Sequence, residues 1–222
     1  MEGKLGRDGH PERSLFTPTV RDRHRMWAGG RVHFYDGLRI GQNSERRSTI
    51  LSVKEKDGKT GSLLFVTVLH EYFQLGKLCI SEEQDIVYRK PSPPKLSSTT
   101  MIPQLDWVET VTPSSIMLFR YSAVTFNSHR IHYDFPYATQ QEDYPGLVVH
   151  GPMIATLILK SFIEKYPQYT PIHFTYRGLR PLIADNSFQI GCKQHDHGKC
   201  ELWAYSENGP AHQAELEYKD KL

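Results

Sequence analysis

Two short segments concentrate the residues that could do chemistry. In Tyr121-Ser122-Ala123-Val124-Thr125-Phe126-Asn127-Ser128-His129-Arg130-Ile131-His132-Tyr133-Asp134 an apolar, β-branched and aromatic run meets a cluster of Asn, two His, Arg, Tyr and Asp. Further along, Tyr144-Pro145-Gly146-Leu147-Val148-Val149-His150-Gly151-Pro152 is a compact polar-and-glycine unit that opens an apolar helix. Polar groups crowded between core-forming segments need a partner or a role. A base-capable imidazole on one segment and exposed backbone N–H groups on the other suit chemistry at a carbonyl. His132 titrates in the right range to take a proton from water and return it. Asn127 cannot be a base, but its amide both accepts and donates hydrogen bonds; it equally suits the turn before a helix. The Gly151 N–H at a helix start favours negative charge; a glycine there also serves a tight turn.

Two places carry the residue types of a metal site. His129-x2-His132 has no evident third ligand nearby, and a polar surface turn accounts for it. Cys192-x2-His195-x-His197-x2-Cys200 has ligand-type residues, but it straddles a hairpin tip, where strand alternation sends side chains to opposite faces. No metal is expected.

The elements that must position these residues fall into two halves. Residues 1–25 are charged, rich in Gly and Pro and without a period, and read as a loose arm. Residues 26–90 form an N-terminal half with strands at 31–35, 46–54 and 62–72 and a hairpin tip at Asp57-Gly58-Lys59, while 75–88 is ambiguous. Pro91, Pro93, Pro94 and Pro103 mark 91–107 as an extended linker. In the C-terminal half, 108–222, residues 118–125 suit either a strand or a short helix, and 129–137 one or two helical turns. Residues 152–166 form an almost wholly apolar, hence buried, helix, with Pro152 in its first turn and Pro167 as its stop. Strands follow at 171–179, 187–194, 200–205 and 211–218. The halves repeat: Val32-His33-Phe34 leads to Gly37-Leu38-Arg39, and Ile172-His173-Phe174 to Gly178-Leu179-Arg180. Each copy continues as strand, charged hairpin tip and strand, ending near Glu71-Tyr72 or Glu217-Tyr218. The first copy shows no central helix.

The bulk numbers narrow the class. The 222 residues, 38% hydrophobic and 23% charged, suit a soluble globular chain with a real core. A formal net charge of +2 gives no reason to expect a nucleic-acid or membrane partner. Three cysteines, Cys79, Cys192 and Cys200, make no disulfide framework and point to a reducing compartment. No run reaches transmembrane length, and the N-terminus lacks the apolar core of a secretory signal. Cytoplasm or mitochondrion remain.

With Asn127-x4-His132 ahead of a buried central helix and a repeated antiparallel sheet, the chain resembles the hotdog fold. It is similar to the MaoC-like enoyl-thioester hydratases and dehydratases, within them to the type 2 hydroxyacyl-thioester dehydratase and mesaconyl-CoA hydratase group. Met26-Trp27-Ala28-Gly29-Gly30-Arg31 and Glu83-Gln84-Asp85-Ile86-Val87-Tyr88-Arg89 share the resemblance, which covers residues 25–222. Two features depart from it: the wider pattern has Asp where this chain has Asn127, and double hotdogs have a helix in the first half.

The resemblance implies an α+β double hotdog, a curved antiparallel sheet around a central helix, and a hydro-lyase. His132 would move the proton, Asn127 would position water or substrate, and the Gly151 N–H would hold the enolate oxygen. Arg130, His129, His150 and Trp27 would bind substrate, Arg130 through a carboxylate or phosphate and Trp27 by lining an acyl pocket. Arg130 and Arg177 are the arginines to inspect for a dicarboxylic substrate. The acyl group would ride on CoA or the phosphopantetheine of an acyl carrier protein, with no cofactor, and exposed sheet edges leave room for a homodimer. The alternatives are a hotdog thioesterase using Glu142 or Asp143, and a non-catalytic acyl-binding or partner subunit.

Overall fold

The computed structural model describes residues 5–10, 23–58, 61–196 and 198–221. Residues 11–22 of the arm, Lys59 at the first hairpin tip and His197 of the Cys/His cluster lie outside the described residues. In chain order the elements are β1 (His24–Phe34), β2 (Ser44–Gly58), β3 (Gly61–Gln74), β4 (Lys77–Arg89) and β5 (Trp107–Val111), then helix α1 (Ser115–Thr125), a single 3₁₀ turn (Arg130–His132) and helices α2 (Phe135–Gln140) and α3 (Gly151–Lys165). The chain closes with β6 (Tyr169–Gly178), β7 (Phe188–His195), β8 (Lys199–Ser206) and β9 (Gly209–Asp220).

All nine strands join one sheet in the order β2-β3-β4-β1-β6-β9-β8-β7-β5, and every pairing is antiparallel. Outward from the β1–β6 seam the halves run alike: β1, β4, β3, β2 on one side and β6, β9, β8, β7 on the other, with β5 added to the second. The tripeptides that reveal the repeat in sequence meet at this seam. Val32 pairs with Phe174 and His33 with His173, and the two imidazoles stack at 4.0 Å.

Helix α3 packs against β1, β6, β7, β8 and β9. It buries Met153, Ile154, Ala155, Ile158 and Phe162 among Phe174, Phe188, Ile190, Leu202 and Leu216, the main core. Pro152 occupies the first turn, where no N–H is needed. Against β2, β3 and β4 no helix packs among the described residues. These strands keep a small cluster of Val66, Val68, Ile86 and Tyr88, while Ile50, Leu51 and Val53 on β2 are exposed.

Two elements differ from the sequence reading. β1 begins at His24, well before Arg31. The pair Gly29-Gly30, ahead of the strand expected at 31–35, is itself strand: a Cβ on Gly29 would lie 2.3 Å from the Tyr176 carbonyl oxygen, and one on Gly30 2.4 Å from that of Glu83. Glycine is what lets the backbones approach at the seam. Residues 115–125 are helix, because Ser114 Oγ accepts the Met117 N–H at 3.2 Å and caps the start. The ambiguous stretch after Leu75 resolves into β4. Among the described residues no helix is long and apolar enough to cross a membrane.

The weight carried by α3 can be measured. Ile158 is fully buried and Val53 is 48% exposed. Ile158→Ala is expected to destabilise the fold by about 2–5 kcal/mol in denaturant titration, whereas Val53→Ala should stay within about 0.5 kcal/mol.

Candidate active site

The site forms where the turn after α1 meets the start of α3. Val148 N–H donates to the Ile131 carbonyl at 2.9 Å, and His132 Nδ1 lies 2.7 Å from the Val148 carbonyl oxygen. A carbonyl can only accept, so the ring proton sits on Nδ1 and Nε2 keeps its lone pair. Burial depresses His132 to about 4, with the Val148 hydrogen bond partly opposing. The ring is therefore neutral near pH 7 and can act as a base.

His150, the residue before α3, stacks on His132 with ring centroids 3.6 Å apart. Its Nε2 meets Ser122 Oγ at 2.8 Å. Burial first, then the neighbouring His132, pushes it down to about 3. His129 meets His132 edge-on at 5.4 Å and is held well below its ordinary value, chiefly by burial.

Gly151 opens α3, and no acceptor among the described residues takes its N–H. Trp27 dictates glycine there: a Cβ would lie 2.5 Å from an indole ring carbon. Asn127 Oδ1 accepts the His129 N–H at 3.1 Å, so this amide shapes the turn that carries the histidines.

His132, Asn127, Gly151, His129 and Trp27 all line one cleft of about 1190 Å³. His150 does not line it; it lies behind His132. Arg130 does not line it either. Its Nε and Nη2 bond Asp134 Oδ2 at 2.9 and 2.7 Å, and its guanidinium covers the Tyr137 ring at 4.3 Å. Arg177 is exposed on β6. The arginines that do line the cleft are Arg25, Arg89 and Arg180.

Residues that the sequence reading passed over complete the walls. Arg180 is 7% exposed. It bonds the Pro181 and Gly209 carbonyls and Ser206 Oγ, has no carboxylate partner among the described residues, and keeps Nε unpartnered. His212 and Trp27 also keep a buried ring nitrogen unpartnered, and their rings lie 6.1 Å apart. Glu82 accepts from Tyr72, Gln84 and Tyr176 at 3.3, 2.9 and 3.3 Å. Only the Gly178-Leu179-Arg180 repeat lies near this wall in the sequence analysis, and a repeat speaks for architecture rather than for a site.

From the arm, Asp8 and His10 lie against the site, and His10 lines the cleft. Asp8, His10 and His129 hold donor atoms within 4.8 Å of one another, and Asp8 and His10 are joined directly by a hydrogen bond of 3.1 Å. Glu142 is buried and accepts from Tyr137 Oη at 2.8 Å, with His24 Nδ1 at 3.0 Å from its other oxygen. Asp143 is exposed. The cleft-facing residues of α3 (Pro152, Ile154, Ala155, Thr156, Leu159) include no carboxylate to activate water at a carbonyl.

Comparisons with known proteins bear on the family and the fold. The family model for hydroxyacyl-thioester dehydratase type 2 matches residues 1–184. Mesaconyl-C(4)-CoA hydratase of Chloroflexus aurantiacus is 45% identical over 193 residues, 85% of this chain and 68% of that protein. The mitochondrial hydroxyacyl-thioester dehydratase type 2 of Schizosaccharomyces pombe is 32% identical over 219 residues, 85% of this chain and 72% of the relative. Among solved structures, a MaoC-like dehydratase from Phytophthora capsici superposes with a TM-score of 0.70 at 12% identity, covering 89% of this chain and 72% of that one. A Mycobacterium tuberculosis protein described as a double hotdog gives 0.60 at 11% identity, covering 89% and 76%. The fold is an α+β double hotdog.

The buried imidazoles set a pH dependence. His132 is held at about 4 and His150 and His212 at about 3, each mainly by burial. All lie below the ordinary value of about 6.5. Between about pH 6.5 and 4 the unfolded chain therefore binds more protons than the folded one. Their stabilisation is complete above that window and lost as pH falls, by on the order of 1.4 kcal/mol per pH unit for each ring. Urea midpoints should drop between about pH 7 and pH 5, and His212→Gln should flatten that slope.

Proposed function

The chain belongs to the hydroxyacyl-thioester dehydratase type 2 family, and from that premise we propose how its site works. It is a hydro-lyase that acts on acyl thioesters, adding water to an enoyl thioester or removing it from the 3-hydroxyacyl form. In the hydration direction the His132 Nε2 lone pair takes a proton from water as the oxygen bonds to the β carbon. Negative charge moves to the thioester oxygen, which the Gly151 N–H at the start of α3 stabilises. Asn127 holds the turn that carries His129 and His132, and its free N–H₂ can orient water or substrate. His150 braces the His132 ring from behind. Trp27 packs on Gly151 and shapes the acyl pocket. His129 adds to the wall beside His132, and Arg130 acts at one remove, through Asp134 and the turn. One side chain and one amide supply the base and the charge contact at the thioester oxygen, and neither step is routed through a metal or redox cofactor. The single observation that carries this reading is the neutral, Nδ1-protonated His132 sharing a cleft with the Gly151 amide.

The acyl group is a short dicarboxylic one on CoA, in this proposal. The Chloroflexus aurantiacus relative is named for such a substrate, and Arg180 offers a buried guanidinium without a carboxylate partner among the described residues. Arg25 and Arg89, elsewhere on the cleft wall, suit the phosphates of CoA or of an acyl carrier protein. A mitochondrial or cytoplasmic location and pairing of two copies along the open edges of β2 or β5 belong to the same proposal.

Enoyl-CoA absorbance should fall without release of free thiol, which separates hydration from hydrolysis. His132→Ala should lower kcat by about 10²–10⁴-fold; full activity in that variant would exclude the role given to this ring. Arg180→Lys should cut the ratio of kcat/KM for mesaconyl-CoA over crotonyl-CoA by about tenfold or more, and an unchanged ratio would remove Arg180 from substrate selection.

A further inference from the structure

We propose that His10, held by Asp8, is a second catalytic residue of this site and delivers the proton to the α carbon. The proposal rests on the hydratase reading and supplies the group that reading lacks. Hydration needs one group to take a proton from water and another proton to reach the α carbon. Asn127 cannot titrate, His129 is buried and neutral, and the Nε2 of His150 is tied to Ser122 behind the cleft wall. Of the other imidazoles on the cleft, His24 is paired with Glu142 and His212 is buried, which leaves His10, whose ring meets His129 and through it His132.

Its geometry is that of an oriented acid–base group. Asp8 Oδ2 lies 3.1 Å from His10 Nδ1, and Oδ1 accepts the His10 backbone N–H at 3.0 Å. The carboxylate fixes the proton on Nδ1 and leaves Nε2 for the cleft. Asp8 itself is lowered to about 2: burial raises it, but the hydrogen bonds and charge of His10 outweigh burial. The pair is docked on the catalytic turn. Arg130 N–H donates to the Asp8 carbonyl at 2.8 Å, and Ser128 Oγ donates to the Gly9 carbonyl at 2.5 Å. Gly9 has φ +89°, and a Cβ there would lie 2.1 Å from the Ser128 carbonyl oxygen. Only glycine permits this contact, which sets His10 against His129 at 4.6 Å between ring centroids. The ionisable groups around His10 are Asp8 on its own segment, His129, Arg130 and His132 across the turn, and Arg25 from β1.

The step balances. Water oxygen bonds to the β carbon and His132 Nε2 takes its proton. The π pair shifts to the α carbon and thioester oxygen, and the His10 imidazolium then gives its Nε2 proton to the α carbon. His132 ends with one proton more and His10 with one fewer; a proton passed back from His132, past the His129 ring between them, resets the site.

The test uses the full chain with crotonyl-CoA and mesaconyl-CoA. His10→Ala should lower kcat by about 10²-fold or more with KM changed little, and added imidazole should restore at least tenfold. Asp8→Asn, a positioning variant, should lower kcat about tenfold with KM changed little, and combined with His10→Ala it should cost nothing further. His10→Gln, checked by melting temperature, should fold like wild type and stay impaired. Wild-type kcat in His10→Ala, or a loss that imidazole does not rescue while Asp8→Asn keeps wild-type kcat, would overturn the proposal alone. A wild type that hydrates neither substrate would instead overturn the hydratase reading, and this proposal with it.

Discussion

The hydrogen bond from His132 Nδ1 to the Val148 carbonyl joins the turn after α1 to the approach of α3 and decides which nitrogen of His132 carries the proton. The backbone bond from Val148 to Ile131 and the stacked His150 ring hold the same two segments together. Because the tie is backbone on one side, it keeps its geometry when side chains around the cleft move. Burial then keeps the ring neutral. A base with its lone pair toward the cleft, and an amide dipole a short distance along the same backbone, follow from that one closure.

The two halves contribute unequally. The C-terminal half supplies the turn, the histidines and α3, while the N-terminal half supplies the wall through Trp27 on β1 and Glu82 on β4. The seam is what brings the wall close. Gly29 and Gly30 let β1 approach β6, and Trp27, displaced by the bulge beside Gly29, reaches Gly151 and stacks on Tyr176. Unpartnered nitrogens on Trp27, Arg180 and His212 gather on this wall. In a buried setting such groups carry a free-energy cost that a polar ligand group would offset. Trp27 of the first half and Arg180 and His212 of the second thus face one cleft together.

Much of this was legible in the sequence, for identifiable reasons. α3 announced itself by an apolar run between Pro152 and Pro167, and the pseudo-symmetry by two tripeptides that meet at the seam. His132, Asn127 and Gly151 could be found because polar residues packed between apolar segments stand out locally. What escaped notice depends on contacts across long sequence separations. Asp8 and His10 sit in a stretch without period, and only the fit of Gly9 to Ser128 gives them a place. Arg130 looked like a ligand-binding arginine because Asp134, four residues on, was not read as its partner. Arg180 lies in the bend just after β6 and His212 near the start of β9, and alternation along a strand cannot aim either into a cleft formed by other elements.

The central claim concerns one proton, and nitrogen NMR of the histidine side chains observes it directly. In ¹⁵N-histidine-labelled protein near pH 7, His132 should appear as the neutral Nδ1–H tautomer and keep that form as pH is lowered toward about 5, consistent with a value held at about 4. A His132 signal that is already imidazolium near pH 7, or that carries its proton on Nε2, would contradict the account.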